Sequence, residues 1–266
     1  MAPVLPLRLG RMLIAGVVAI VTLIGYYSTS QDNPVTGEKQ YIDITAEQEI
    51  ALGMQAVPRM AQQHGGFHPD QDAQALVDRV GNRIVQSTAA GQTPYAFEFH
   101  LLADDQTVNA FALPGGQVFI TAALLARFDT EDQLAGVLGH EIGHVVGRHS
   151  AEQMAKTKLT QGLTGAAVIA TYDPSNPSTQ QSAAMAAMVG QMVNMKHGRE
   201  DELESDELGV RFMIESGYDP RALIDVMRIL AEAGGGSRQP EFFSTHPNPD
   251  NRIANIEEAI RQYSGS

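Results

Sequence analysis

The 266-residue chain has no cysteine and no tryptophan. Without cysteine there are no disulfides, no thiolate metal sites and no lipid attached through sulfur. Any metal must therefore be held by nitrogen and oxygen donors. Positive charge is also scarce: 18 Lys and Arg stand against 31 Asp and Glu, a formal net charge of −13. No basic stripe emerges, which removes the electrostatic footprint of a nucleic-acid binder. The acidity favours solubility and carries no information about fold. Uninterrupted apolar sequence is limited to a single long run, at the N-terminus.

That run follows Arg8 and Arg11, extends from Met12 to Gly25 and closes on Tyr26-Tyr27. It is apolar on all faces, unlike the one-sided stripe of a core helix, and the aromatic pair suits a membrane interface. Counted from Leu9 to Tyr27 it nearly suffices to span a bilayer. Residues 1–30 are expected to be a membrane anchor, or a signal segment with small residues at Ser28-Thr29-Ser30 but no clear A-x-A. In either case the positive charges stay cytoplasmic and the rest is exported. Residues 31–74 read as a linker, with turn formers Asp32, Asn33, Pro34 and Gly37, and then a helix. Thr45 and Gln48 make a capping box at its start, and it ends near Gln63. His64 and His68 are four apart, but Gly65, Gly66 and Pro69 exclude the helix that would pair them, so both are expected in a loop.

Further along, Leu76, Val77, Val80, Ile84 and Val85 recur at helical spacing and predict a helix over 70–89. Phe97 to Leu102 alternates like a half-buried strand, and short strands are expected at 108–113 and 117–121, around Pro114-Gly115-Gly116. An exposed edge of such a sheet can pair with an extended peptide. The rest reads as helix, including 206–217 and 219–233, so the expected class is α+β, mostly helical. Gln161 to Tyr172 is apolar but too short and interrupted for a second span. Met185, Met188, Met192 and Met195 recur at helical spacing, as a core stripe or as an adaptable apolar surface. Gly234 to Ser237 reads as flexible. The last helix, from about Asp250 to Tyr263, is expected to pack Ile253, Ile256 and Ile260 inward.

The chemistry centres on His140-Glu141-Ile142-Gly143-His144, an H-E-x-x-H sequence led in by a helix from Glu131 with Asp129 or Thr130 as N-cap. Residues four apart share a helical face, so the two imidazoles aim at one point suited to Zn²⁺. Glu141, beside the first histidine, stands where such a motif has its general base. Zinc needs a third protein ligand. The extension H-E-x-x-H-x-x-G-x-x-H fails here: Gly147 is in place, but Ser150 stands where the third His belongs and His149 falls one position short. The other solution is a carboxylate from a later helix, with the fourth position left open. Acidic residues cluster from Glu200 to Glu207. Within that cluster Glu202 and Asp206, four apart, offer one ligand and one carboxylate able to accept from the far nitrogen of a ligating imidazole.

At these residues the chain resembles the HtpX-type and CAAX-prenyl-endopeptidase-type zinc metallopeptidases, which are gluzincins. Their pattern is H-E-x-x-H followed well downstream by S-R-x-x-E-x-x-A-D. The corresponding stretch is Gly198-Arg199-Glu200-Asp201-Glu202-Leu203-Glu204-Ser205-Asp206, with Gly for Ser and Ser205 for Ala, both small for small. Asn109 to Gly116 resembles the strand region before the zinc helix, and Thr245-His246-Pro247 with Arg252-Ile253 the C-terminal segment. The likeness runs from about Ala75 to the C-terminus and is closest to periplasmic, single-anchor members. It implies a zincin-like metallopeptidase domain over 75–266, with one Zn²⁺ held by His140, His144 and Glu202. It also implies Glu141 as the base and Asp206 behind a ligand. It brings His246 close to the active site. Three roles are open to that residue: stabilising the oxyanion, occupying the open zinc position in a resting state, or fixing its loop. Arg252 is expected to brace this loop through a carboxylate or carbonyl.

The function so implied is an exported zinc endopeptidase, anchored on the periplasmic side of a bacterial inner membrane or soluble there if the leader is cleaved. Its substrates would be unfolded or misassembled envelope polypeptides; nucleic acid is not among its partners. Two readings compete with it. One is a peptidase fold used as a binding or chaperone-like module, against which the intact H-E-x-x-H weighs. The other is a zinc aminopeptidase, for which the acidic cluster would have to hold a substrate amine.

Overall fold

A computed structural model describes residues 4–171, 198–233, 240–246 and 251–265. The methionines at 185–195, the glycines at 234–236 and Pro247 lie outside the described residues. The chain divides into two compact units, Met1–Asp43 with Ala151–Met195, and Ile44–Ser150 with Lys196–Ser266.

In the first unit the apolar run is one helix, α1 (Val4–Ser28). Among the described residues it is the single helix long and apolar enough to cross a membrane, with a mean hydropathy of 2.0 over Leu9–Ser28. Leu13, Val17, Val21 and Ile24 along it are exposed. The expected linker is in part a hairpin: β1 (Ser30–Asp32) pairs antiparallel with β2 (Lys39–Tyr41). The turn formers serve the bend between them. Asn33 Oδ1 accepts from the Val35 and Thr36 amides, and Gly37 takes a φ of +76°, a conformation glycine adopts without steric cost. Tyr41 stacks on Tyr26 with ring centroids 4.9 Å apart, tying the hairpin to the end of α1. The apolar stretch after Gln161 is the second half of a longer helix, α6 (His149–Thr171).

The second unit carries the chemistry. It begins with α2 (Ala46–Gln63), where Thr45 and Gln48 close the capping box that the sequence predicts. In α3 (Gln71–Ser87), capped by Asp70, the residues Val77, Val80 and Ile84 face the core. Three strands follow, β3 (Glu98–Leu102), β4 (Ala110–Leu113) and β5 (Gln117–Thr121). The central strand is β5, parallel to β3 and antiparallel to β4. Every residue of β5 is buried, which is why Val118-Phe119-Ile120 is a continuous apolar run and not an alternation. The β4–β5 connection needs glycine at Gly115, where φ is +81° and an added Cβ would lie 2.3 Å from Ile50 Cα.

A short turn of helix, α4 (Ala122–Leu125), leads to α5 (Glu131–Val146), the spine of the unit. Thr130 is its N-cap, and Gln133 completes the box. From Gln133 to Val146 every residue is buried. Around α5 pack α3, α7 (Arg199–Ser216) and α8 (Ala222–Ala233). The approach of α5 to α7 is close because both are glycine at the crossing. A Cβ on Gly143 would lie 3.0 Å from the Ser205 carbonyl oxygen, and one on Gly209 would lie 3.1 Å from the His140 nitrogen. Two further helices, α9 (Phe242–Thr245) and α10 (Arg252–Ser264), complete the described elements. The expected inward face of α10 needs correction: Ile256 is buried, but Ile253 is 38% exposed. Arg252, Ile256 and Ala259 form the buried stripe instead. At about 100° per residue, burying Arg252 turns Ile253 away toward solvent.

Candidate metal centre

Seven buried side chains converge on one place. His140, Glu141 and His144 come from one turn of α5, Glu202 and Asp206 from one face of α7, His246 from the end of α9 and Arg252 from the start of α10. The Gly143 and Gly209 contacts set the α5–α7 separation, and hence how far the two carboxylates of α7 reach toward the two imidazoles.

The donor atoms face one another. His140 Nε2 lies 3.0 Å from His144 Nε2 and 3.6 Å from Glu202 Oε2. His144 Nε2 lies 3.4 Å from Glu202 Oε1. His246 Nδ1 approaches the same oxygen to 3.0 Å and His140 Nε2 to 3.4 Å. One donor atom from each of these four residues falls within a 4.8 Å cluster. Donors about 2.1 Å from a tetrahedral ion stand about 3.4 Å apart, so the spacing fits such an ion. The proton inventory agrees. His140 Nδ1 donates to Asp206 Oδ1 at 2.9 Å, which in a neutral ring leaves a lone pair on Nε2 pointed at His144. The carboxylate oxygens of Glu141 are buried and find no hydrogen-bond partner among the described residues, as expected of a base whose partner is a substrate or water.

Arg252 holds the carboxylates from behind. Its Nε and Nη2 donate to Asp206 Oδ2 and Oδ1 at 2.6 and 2.8 Å, and Nη1 lies 3.2 Å from Glu202 Oε2. Where the sequence leads one to expect a brace for the His246 loop, the Arg252 guanidinium contacts Asp206 and Glu202 on α7. His246 stacks on Phe242, ring centroids 4.4 Å apart, and its Nε2 is 3.5 Å from Glu141 Oε1.

The electrostatics separate the two glutamates. Burial pushes the Glu141 carboxyl up, against the pull of His246 and His140. Burial acts on Glu202 in the same sense, but His246 and His144 outweigh it and hold that carboxyl well below its ordinary value. Asp206 is likewise held down, its burial outweighed by Arg252 and His140. For His246 burial disfavours the cation, yet Glu141 and Glu202 raise its pKa on balance. Glu202 is therefore a ready anion, and Glu141 a carboxyl able to take a proton.

One residue at the centre was passed over in the sequence. His149, rejected as a third ligand, lies directly behind His144, with Nδ1 to Nδ1 at 2.8 Å, and its own Nε2 is 2.9 Å from Glu204 Oε2. The available signal was Gly147, present without the histidine that normally accompanies it. Elsewhere, His64 and His68 lie in the loop after α2 and outside the donor cluster. His64 pairs with Asp104 at 3.1 Å, and His68 Nδ1 accepts from the Asp70 amide.

Fold and donor set together define the class as a zincin-like metallopeptidase. More narrowly, peptidase family M48 matches residues 71–260, and the chain belongs to that family. The motif resemblance therefore holds at the level of family. The beta-barrel assembly-enhancing protease of Yersinia pestis is 32% identical over 235 residues, covering 86% of this chain and 47% of that protein. Its Escherichia coli K12 counterpart is 34% identical over 192 residues, 70% of this chain and 38% of that protein. The mitochondrial metalloendopeptidase OMA1 of Schizosaccharomyces pombe is 30% identical over 239 residues, 88% of this chain and 67% of that protein. The chain thus spans about half the length, or less, of these bacterial relatives.

Proposed function

We propose that the chain is a zinc metalloendopeptidase that hydrolyses peptide bonds in unfolded or misassembled envelope proteins. The observation that carries this reading is the meeting of His140, His144 and Glu202 donor atoms beside a wholly buried Glu141 without a hydrogen-bond partner. Zinc held there supplies a Lewis acid that lets water ionise near neutrality and polarises a carbonyl oxygen. Glu141 takes the proton of the attacking water and passes it to the leaving amine. His140, His144 and Glu202 would hold the ion, and Asp206, clamped by Arg252, accepts from His140 Nδ1 and so leaves Nε2 free to ligate it. His246, whose Nδ1 is the fourth donor of the cluster, would fill the remaining position on the ion, so water reaches that position only when this side chain moves away.

Substrate binding is supported by a shallow surface depression lined by Ala112, Leu113, Pro114, His144 and Arg148. It runs along β4, an edge of the three-stranded sheet. An extended polypeptide can add to such an edge by main-chain hydrogen bonds with little sequence preference, which suits an unfolded substrate. The envelope assignment draws on α1 as an anchor and on the likeness to bacterial proteins named beta-barrel assembly-enhancing protease. The periplasmic side follows from Arg8 and Arg11 ahead of the apolar run. Cleavage of an end-blocked peptide, abolished by 1,10-phenanthroline and restored by Zn²⁺, is the expected result. Hydrolysis restricted to peptides with a free amino terminus would point to an aminopeptidase, and substrate binding without hydrolysis to a chaperone-like module.

A further inference from the structure

We infer that His149 is a positioning residue for the ligand His144, and that the segment just after the H-E-x-x-H helix is built to deliver it. The inference rests on the metal-centre reading above and adds a second brace, distinct from the Asp206–Arg252 brace on His140.

The proton count gives His149 a defined state. With Nε2 of His144 facing the donor cluster, the proton of that ring sits on Nδ1. His149 Nδ1 lies 2.8 Å from that nitrogen and is placed to accept it. A nitrogen that accepts carries no proton, so a neutral His149 is protonated on Nε2, which lies 2.9 Å from Glu204 Oε2. The Ser205 hydroxyl lies 3.3 Å from the same nitrogen. Ser205 stands where the resembled pattern has Ala, so this hydroxyl is a feature of the present chain. His149 is 1% exposed. The result is a directed chain, from His144 Nδ1–H to His149 and from His149 Nε2–H to Glu204.

The backbone on either side of Arg148 is compatible with this placement. At Gly147 an added Cβ would lie 2.4 Å from His149 Nε2 and 2.7 Å from Cε1, so any larger residue displaces the ring. Arg148 takes a φ of +58°, the sole non-glycine positive φ among the described residues, at a steric cost typical of functional sites. It is held in that state by donating from Nε to Glu49 Oε1 at 2.9 Å and from Nη2 to the Ile44 carbonyl at 3.1 Å. This left-handed step ends α5 and returns the chain so that His149 comes back under His144. Gly147 thus has a purpose although the third histidine of the longer motif is missing.

Zinc affinity of the full-length chain, measured by competition with a chromogenic chelator, tests the assignment. His149→Leu is expected to bind zinc about 10–100-fold more weakly. His149→Gln, whose amide oxygen can accept from His144, should recover most of that loss, a rescue that mere space-filling would not produce. Affinity unchanged in a folded His149→Leu would overturn the inference. If that variant does not fold, the wild type decides. In zinc-loaded, ¹⁵N-histidine-labelled protein a coupling is expected across the hydrogen bond between His144 Nδ1 and His149 Nδ1, with the His149 proton on Nε2. A His149 protonated on Nδ1 would overturn it. A wild type that binds no zinc instead sinks the metal-centre reading.

Discussion

Glu141 and Glu202 both approach His246, at 3.5 and 3.0 Å, yet their carboxyls are shifted in opposite directions. Glu202 is surrounded by imidazoles and Arg252, which favour its anion. Glu141 has less compensation for its burial, which pushes its carboxyl above the ordinary value against the pull of His246 and His140. The change Glu141→Gln keeps shape and removes the ionisable carboxyl. It is expected to lower kcat by roughly 10²–10⁴-fold while zinc content stays at the wild-type level. Casein cleavage at the wild-type rate by a zinc-loaded Glu141→Gln protein would remove Glu141 from the proposed chemistry. At this scale the histidines were legible as a pair, because four residues is one helical turn. Glu202 was reached through the family pattern, since Glu200 and Glu204 sit nearby and spacing alone does not choose among them. His149 was not legible: its role depends on a left-handed Arg148, which no local propensity announces.

Among the elements, the α5–α7 pair does most to form the centre. Gly143 and Gly209 let two buried helices approach closely enough for carboxylates of one to meet imidazoles of the other. A Gly209→Val substitution pushes a branched side chain toward the His140 backbone. It should cost about 1–3 kcal/mol of stability and weaken zinc binding as well, read as a lower melting temperature and a smaller upward shift on adding zinc. A variant destabilised to that extent with wild-type zinc affinity would show that helix separation does not control the centre. Helices α2, α3, α5 and α7 were readable because each carries its own start or stop: Thr45 with Gln48, Asp70, Thr130 with Gln133, and Gly217. The β1–β2 hairpin was missed because two three-residue strands are too short for alternation to be read. The inward face of α10 was misplaced because a buried arginine, held by two carboxylates on α7, took a position that hydrophobic periodicity reserves for isoleucine.

For the whole molecule, composition set limits that the fold respects. With no cysteine, a metal site had to be built from histidine and carboxylate, and four such donors are gathered across 107 positions from His140 to His246. Sequence order hides this, because α5 and the glutamate of α7 are separated by the whole of α6 and by residues outside the described structure. The family pattern bridged that gap where periodicity did not. The two-unit division was likewise not legible, since α6 lies in the middle of the peptidase sequence and yet groups with α1. Everything proposed for the function depends on one ion held between α5 and α7. The most direct measurement is elemental analysis of the purified full-length chain beside its Glu202→Ala variant. The proposed centre predicts about one zinc per wild-type chain and a clear loss in the variant. Equal zinc in the two proteins, or none in the wild type, would contradict it.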